Sequence, residues 1–337
     1  MNKIIKFSKS YNSIFKIKKD FYTNNQLNLK KAINVNNYYI KQPLRTKCKN
    51  CNKSKLNYIF KSFKVNYFIC KICSHLNGAH EDTKQFNNYL YKENSGKSYA
   101  RNYLSDYNSR VKNIYIPKIK FLKKVIGNKF NLIDIGSGVG HFLKACEING
   151  IKASGYEPNL TMINLAKKKL SKNSIFQVNL ENVYEKILHT NAKCISMIGV
   201  IEHLNNPRKV FYNFKKSKAT FLFFSVPLFS LSTLLENIFQ DVFPRQLSGG
   251  HTHLYTNKSI SYLINEFNLK IKGEWWFGTD FSDLFRSLIT KSKFEDRKIK
   301  KYIYENFLFN HIDNLQNILD KSKVCSEVHM ILTKKYN

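Results

Sequence analysis

Arginine is scarce in this chain, and so are acidic residues. Seven of the 56 cationic residues are Arg, against 23 Asp and Glu, and the formal net charge is +33. Such a charge invites a nucleic-acid or anionic-surface reading. Arg is the usual bidentate reader of phosphates and bases, so its scarcity weakens that reading. The abundance of Lys, Asn, Ile and Tyr also fits a purely compositional origin of the charge. An acidic substrate fits both. No run of 18 uninterrupted apolar residues occurs. The nearest stretch, 221–235, contains Ser225, Pro227, Ser230, Ser232 and Thr233 and reads as a buried strand plus a loop. No membrane span is expected. The N-terminus lacks the apolar core of a secretory signal. Residues 1–47 carry eleven Lys/Arg and one acid, Asp20, a bias shared with transit peptides. There is no G-K-[ST], which excludes a P-loop, and no internal repeat.

Cysteine is present, but not as a disulfide framework. Of seven, Cys146, Cys194 and Cys325 lie in apolar segments, a usage that suggests a reducing, cytoplasmic location. The other four form C-x2-C-x18-C-x2-C: Cys48, Cys51, Cys70 and Cys73. Four thiolates in two knuckles suit one tetrahedral Zn²⁺. Leu56 to Ile69 alternates apolar and polar residues and predicts a hairpin between the knuckles. The competing reading is two redox pairs, but neither opens a helix after a strand. Four cysteines leave no open coordination position, so the zinc is expected to be structural.

The domains expected are a basic arm at 1–42, a zinc-ribbon-like module at 43–78, a helical cover at 79–126, and an α/β domain at 127–337. Tyr99, Tyr103 and Tyr107 recur at helical spacing in the cover. That stripe packs, or it covers a ligand. From residue 130 strands and helices alternate, which implies a doubly wound, parallel, Rossmann-like sheet of seven strands. Residues 279–323 read as a helical insertion.

The stretch Leu132–Leu143 is a buried strand, a glycine turn and a helix start. Its glycines, Gly136, Gly138 and Gly140, give G-x-G-x-G. A dinucleotide fingerprint needs Gly at 141, where His141 stands, so NAD and FAD are disfavoured. Glu157 closes the second strand, where a carboxylate can accept both ribose hydroxyls. Asp134 closes the first, where an acid suits a cationic amino-acid group. Each acid also reads as a solvated strand end.

LIDIGSGVGHFL, GYEP and SMIGVIEHLNNP resemble the successive motifs of class I S-adenosylmethionine-dependent methyltransferases. The resemblance extends to the group with an N-terminal four-cysteine zinc segment and an E-H-L element, which includes nucleotide-sugar C-methyltransferases. It implies a seven-stranded methyltransferase sheet with S-adenosylmethionine as cofactor. Gly136, Ser137, Gly138 and Gly140 would approach the methionine part. Glu157 would hold the ribose, and Asn179 and Leu180 the adenine. Asp134 and Gly199 would complete the cofactor site. This group often has Asp where Asn179 stands.

Methyl transfer requires an aligned acceptor, excluded water and, for a poor nucleophile, removal of a proton. Glu202 and His203 of the E-H-L element are candidates; they also read as a helix-start cap with a surface His. The segment from Gly249 to Thr256 resembles the H-x-H-x-[YF]-[ST] element. It offers His251, His253 and Tyr255, with His253 the first choice for base. Alternation puts these three on one side of an extended segment. The H-T-H-L-Y spacing departs from the fuller sugar-enzyme pattern, and a His-x-His metal site lacks a third ligand nearby in sequence. After the fourth strand there is no [DN]-P-P-[YF], which argues against exocyclic-amine methylation. The expected acceptor is a small molecule: a sugar, a nucleotide-sugar (hence anionic) or a polysaccharide precursor. An rRNA or tRNA methyltransferase with a zinc module is the alternative. A non-catalytic binding protein that retains the fold is a third.

Overall fold

The computed structural model describes residues 3–11, 17, 24–54, 56–90, 106–171, 174–248, 250–293, 296–303, 305–306 and 309–335. The chain begins with a short strand, β1 (Ile4–Phe7), and helix α1 (Asn25–Tyr39). A hairpin follows, β2 (Leu56–Ser62) and β3 (Val65–Cys70), then β4 (Leu76–Gly78) and α2 (Lys84–Asn88). Residues 107–126 form one helix, α3, with a π segment at Val111–Tyr115. Gly127 ends it with φ +89°.

The alternating part then runs β5 (Asn131–Ile135), α4 (His141–Ile148), β6 (Lys152–Glu157), α5 (Leu160–Lys167), β7 (Ile175–Gln177), α6 (Val183–Leu188) and β8 (Cys194–Ile198). A 3₁₀ turn at Ile201–His203 leads to α7 (Pro207–Lys216) and β9 (Phe221–Pro227). Pro207 at the first position and Asn206, whose side chain accepts from Lys209 N, fix the start of α7. Next come α8 (Leu231–Ile238), β10 (His253–Leu254), α9 (Asn257–Glu266) and β11 (Leu269–Phe277). The chain closes with α10 (Asp280–Lys291), α11 (Arg297–Ile303), α12 (Ile312–Lys321) and β12 (Glu327–Lys334).

The main sheet has the order β1-β11-β12-β9-β8-β5-β6-β7. β7, β6, β5, β8 and β9 are mutually parallel, while β12 runs antiparallel between β9 and β11. Order reverses at β5 and β8, so the carboxyl ends of these strands form the crevice where ligands of such sheets bind. Apolar residues of α6, α7 and α9 cover one face, including Ile187, Phe211, Phe214 and Leu263. Those of α3 and α4, including Phe121, Leu122 and Phe142, cover the other. The fold is the doubly wound one, with an eighth strand in addition to the expected seven. The N-terminal arm supplies it: β1 lies parallel to β11, Trp275 Nε1 donates to Ser8 O (2.8 Å), and Lys3 pairs with Glu274. An otherwise open sheet edge is thereby covered.

A second sheet, β10-β4-β3-β2, belongs to the cysteine module. Its fourth strand comes from more than 170 residues downstream. His253 pairs with Asn77, and Leu254 with Leu76. The segment that carries the H-x-H-x-[YF]-[ST] element is therefore the seam between the two sheets. Tyr255 continues it onto the main sheet, where its N donates to Pro227 O and its O accepts from Phe229 N. No helix among the described residues is long and apolar enough to cross a membrane.

Candidate active site

The glycine turn follows β5 directly. Gly136, Gly138 and Gly140 have φ of +74°, +55° and +79°. These are left-handed conformations that favour glycine. At Gly136 there is also no room, because a Cβ would lie 2.5 Å from Val200 Cγ2. This packs the turn against the segment after β8. Ser137 Oγ donates to Asp134 O (2.8 Å). Glu157, at the end of β6, reaches back to the turn. Its Oε2 accepts from Gly138 N (2.8 Å) and its Oε1 from Asn159 N (3.1 Å). Burial raises its pKa against those two bonds. Asp134 is buried and accepts from Ser196 Oγ of β8 (2.6 Å). Burial lifts its carboxyl to about 7, with the nearby Glu157 adding to the rise and Lys118 opposing it. Asn179 is exposed and Leu180 half-buried, just past β7. Gly199, with φ +67°, donates its N–H to Ser225 Oγ (3.0 Å). So Asp134, Gly136, Ser137, Gly138, Gly140 and Glu157 meet at one crevice.

Of the aromatic stripe, Tyr99 and Tyr103 lie outside the described residues. Tyr107 stacks on His141 (centroids 4.4 Å apart), and Tyr115 also stacks on that ring (5.1 Å). The helix α3 thus presses an aromatic pair against the first residue after the glycine turn.

The candidate acid–base residues separate into two groups. Glu202, His203 and His251 converge, each offering a ligand or acceptor atom within 4.8 Å of the others. Their rings and carboxyl sit just after β8, beside the Val200 that contacts Gly136. His203 Nδ1 donates to Gly250 O (2.9 Å) and His251 Nδ1 to Gln246 O (3.0 Å), since a carbonyl can only accept. The two rings are 5.1 Å apart. Glu202 is 4% exposed, and its Oε2 has no hydrogen-bond partner. Burial pushes its carboxyl up to about 8 and, with His251, pushes His203 down to about 3.

His253 and Tyr255 belong to the other group. His253 is fully buried, with both ring nitrogens occupied: Nδ1 by His75 Nε2 (2.8 Å) and Nε2 by Glu202 O (2.9 Å). Tyr255, also buried, packs edge-on against His75 (4.7 Å). The expected one-sided set of 251, 253 and 255 is broken because extended pairing begins only at 253. Ahead of it Thr252 turns away, its Oγ1 bonding Asp82 and its O accepting from Gly78 N. Only His251 joins the E-H-L turn. His253, the first choice for base, is instead a bridge from the cysteine module to the backbone of Glu202.

The four cysteines are buried together. Cys48 and Cys73 Sγ are 3.7 Å apart, Cys51 and Cys70 Sγ 3.6 Å. A tetrahedron with Zn–S distances of ~2.3 Å has edges of ~3.8 Å, so the cluster has the size of a zinc site. Asn77 Nδ2 donates to Cys48 Sγ (3.4 Å).

Sequence reasoning missed several groups at the same edge of the sheet. Lys118 of α3 is buried and close enough to Asp134 and Glu327 for their charges to oppose its burial. Glu327 pairs with His329 Nε2 (3.0 Å) at the start of β12, among Phe223, Trp275 and Phe277. Two polar residues at i and i+2 in an apolar strand were the available signal. Glu236 of α8 accepts the N–H groups of Arg245, Gln246 and Leu247 (2.5, 2.6 and 2.8 Å). This carboxylate holds the loop whose Gln246 carbonyl orients His251. Two open surface cavities lie elsewhere. One, of about 380 Å³, is at the amino ends of the strands, beside Asn131, Lys152 and His189. The other, of about 550 Å³, lies between the cysteine module and α7, beside Arg45, Lys47, Lys49, Arg208 and Lys209.

Residues 107–272 match the family model of a methyltransferase domain. Solved structures similar to this chain include a SAM dependent methyltransferase from Archaeoglobus fulgidus (18% identity, 65% of this chain and 92% of that one, TM-score 0.43). Another is magnesium protoporphyrin IX methyltransferase from Synechocystis, with bound SAH (10%, 74% and 98%, TM-score 0.49). A third is phosphoethanolamine N-methyltransferase 2 from Haemonchus contortus, in complex with S-adenosyl-L-methionine (13%, 77% and 62%, TM-score 0.47). No curated protein matches the chain.

Proposed function

We propose that this S-adenosylmethionine-dependent methyltransferase acts on a hydroxyl-bearing small molecule of the sugar or nucleotide-sugar class, with Glu202, His203 and His251 engaging the acceptor. The observation that carries the reading is the contact between the two halves of the crevice. The glycine turn and the E-H-L turn touch through Gly136 and Val200, so a cofactor on one adjoins an acceptor on the other.

On this reading Gly136, Ser137, Gly138 and Gly140 let the backbone approach the methionine portion, and Asp134 and Gly199 line it. Glu157 exchanges its bonds to Gly138 and Asn159 for the ribose hydroxyls, while Asn179 and Leu180 border the adenine. Bound there, the cofactor's sulfonium supplies an activated methyl group. The protein's work is alignment and exclusion of water. Tyr107 and Tyr115, stacked on His141, wall the crevice. The loop pinned by Glu236 brings His251 against His203. Cys48, Cys51, Cys70 and Cys73 hold a structural zinc with no open position. None of the seven cysteines forms a disulfide, which suits a reducing compartment such as the cytoplasm.

An RNA acceptor gains less support. In the basic groove Lys49 and Arg45 pair with Asp82, and Arg208 with Glu266. Internal carboxylates thus neutralise much of what would track phosphates.

A screen of hydroxylated metabolites for methyl uptake tests the proposal. His251→Ala and His203→Ala are each expected to lower turnover about 100-fold, as loss of a proton-handling group does. Cofactor affinity should stay near wild type. Full activity in both variants would overturn the assignment.

A further inference from the structure

The same three side chains have the arrangement of a metal site. We propose that Glu202, His203 and His251 bind a divalent first-row transition cation, separate from the ion of the four cysteines. This rests on the reading above only for the site's place beside the cofactor crevice.

Three observations carry it. First, the three potential ligand atoms lie within 4.8 Å of one another. Two ligands at ~2.1 Å from one ion are at most ~4.2 Å apart, so a small inward rotation closes the set. Second, each imidazole donates its Nδ1–H to a backbone carbonyl, Gly250 O for His203 and Gln246 O for His251. The neutral ring then carries its lone pair on Nε2. A second ring nitrogen fixed on a carbonyl is how metal-ligating histidines are usually oriented. Third, Glu202 is 4% exposed with Oε2 lacking any hydrogen-bond partner. A buried, unsatisfied carboxyl oxygen is costly, and a cation is one of the few groups that relieves it.

The chemistry of the donors narrows the ion. Two imidazoles and one carboxylate suit Mn²⁺, Fe²⁺ or Zn²⁺, whereas the four thiolates select softer ions. Three protein ligands leave positions open, and both histidines are half-buried rather than sealed. An oxygen of a hydroxylated acceptor can occupy such a position. Of the His-x-His sequence only His251 takes part; the other two ligands come from the E-H-L turn, 49 and 48 residues earlier, brought beside it by tertiary structure.

Mn²⁺ is the probe, because thiolates bind it poorly. Full-length protein, freed of loosely bound metal and without acceptor, is titrated with Mn²⁺ while the electron paramagnetic resonance signal of the free ion is followed. One ion per chain is expected. His251→Ala and Glu202→Gln should each weaken binding at least about tenfold, in line with loss of one ligand. The variants' folding is checked by cofactor binding. No Mn²⁺ uptake by the wild-type protein, or uptake unchanged in both folded variants, overturns the proposal. The readout needs no acceptor, so a wrong acceptor class leaves it intact. An active enzyme that binds no Mn²⁺ refutes the metal site alone.

Discussion

At the scale of single residues, burial decides which polar groups matter. Asp134 ends a strand, as the sequence suggests, yet it is sealed under α3 with Ser196, Cys146 and Cys194 around it and Lys118 and Glu157 within electrostatic reach. Its carboxyl titrates near 7 in the fold, against 3.8 for a free Asp. A raised pKa means that the folded state prefers the proton. The stabilising effect is therefore complete below pH ~4 and lost as pH rises through ~7. Asp134→Asn removes that slope. Wild-type stability toward urea should fall by roughly 2–4 kcal/mol more than the variant's between pH 4 and pH 8. Parallel pH profiles would show that the group does not sense its burial.

At the scale of elements, the two-residue strand β10 has a larger role than its length suggests. It completes the cysteine module's sheet, and its His253 joins His75 to the backbone of Glu202. His253→Ala would leave both partners unpaired in a dry seam. A loss of about 2–4 kcal/mol in unfolding free energy is expected, from two broken bonds and the cavity. Calorimetric melting of the two proteins measures it. A variant as stable as wild type but inactive would instead restore His253 to the catalytic role that its sequence context suggests. The helix α8 matters in the same way, because Glu236 clamps three successive N–H groups of the loop that carries His251.

At the scale of the whole molecule, the cysteine module and the α/β part of the chain share structure. Residues from both build the β10-β4-β3-β2 sheet, and the Thr256–Ser259 start of α9 contacts the module through Ser74 and His75. If the four cysteines hold zinc as proposed, a strong chelator should therefore lower the melting temperature of the entire chain in one shifted transition. Metal binding is folding free energy in such modules. Two independent transitions, with the second unmoved, would show instead that the module folds by itself. The N-terminal arm is tied in likewise, as the eighth strand of the main sheet.

Much of this was legible in the amino-acid order. Alternating apolar strands and helices specify the doubly wound sheet, since each period of burial must match one element. The glycine turn, Glu157 at the second strand end and the four-cysteine spacing are local patterns, and each forms a compact local cluster. The grouping of Glu202, His203 and His251 was not legible, nor the withdrawal of His253 and Tyr255 into the seam. Alternation along residues 251–255 holds only if the segment is extended throughout, and Thr252, drawn to Asp82 and Gly78, breaks it. Which partner lies across a strand depends on contacts nearly two hundred residues apart. Such contacts leave no local period, and only the folded chain decides them.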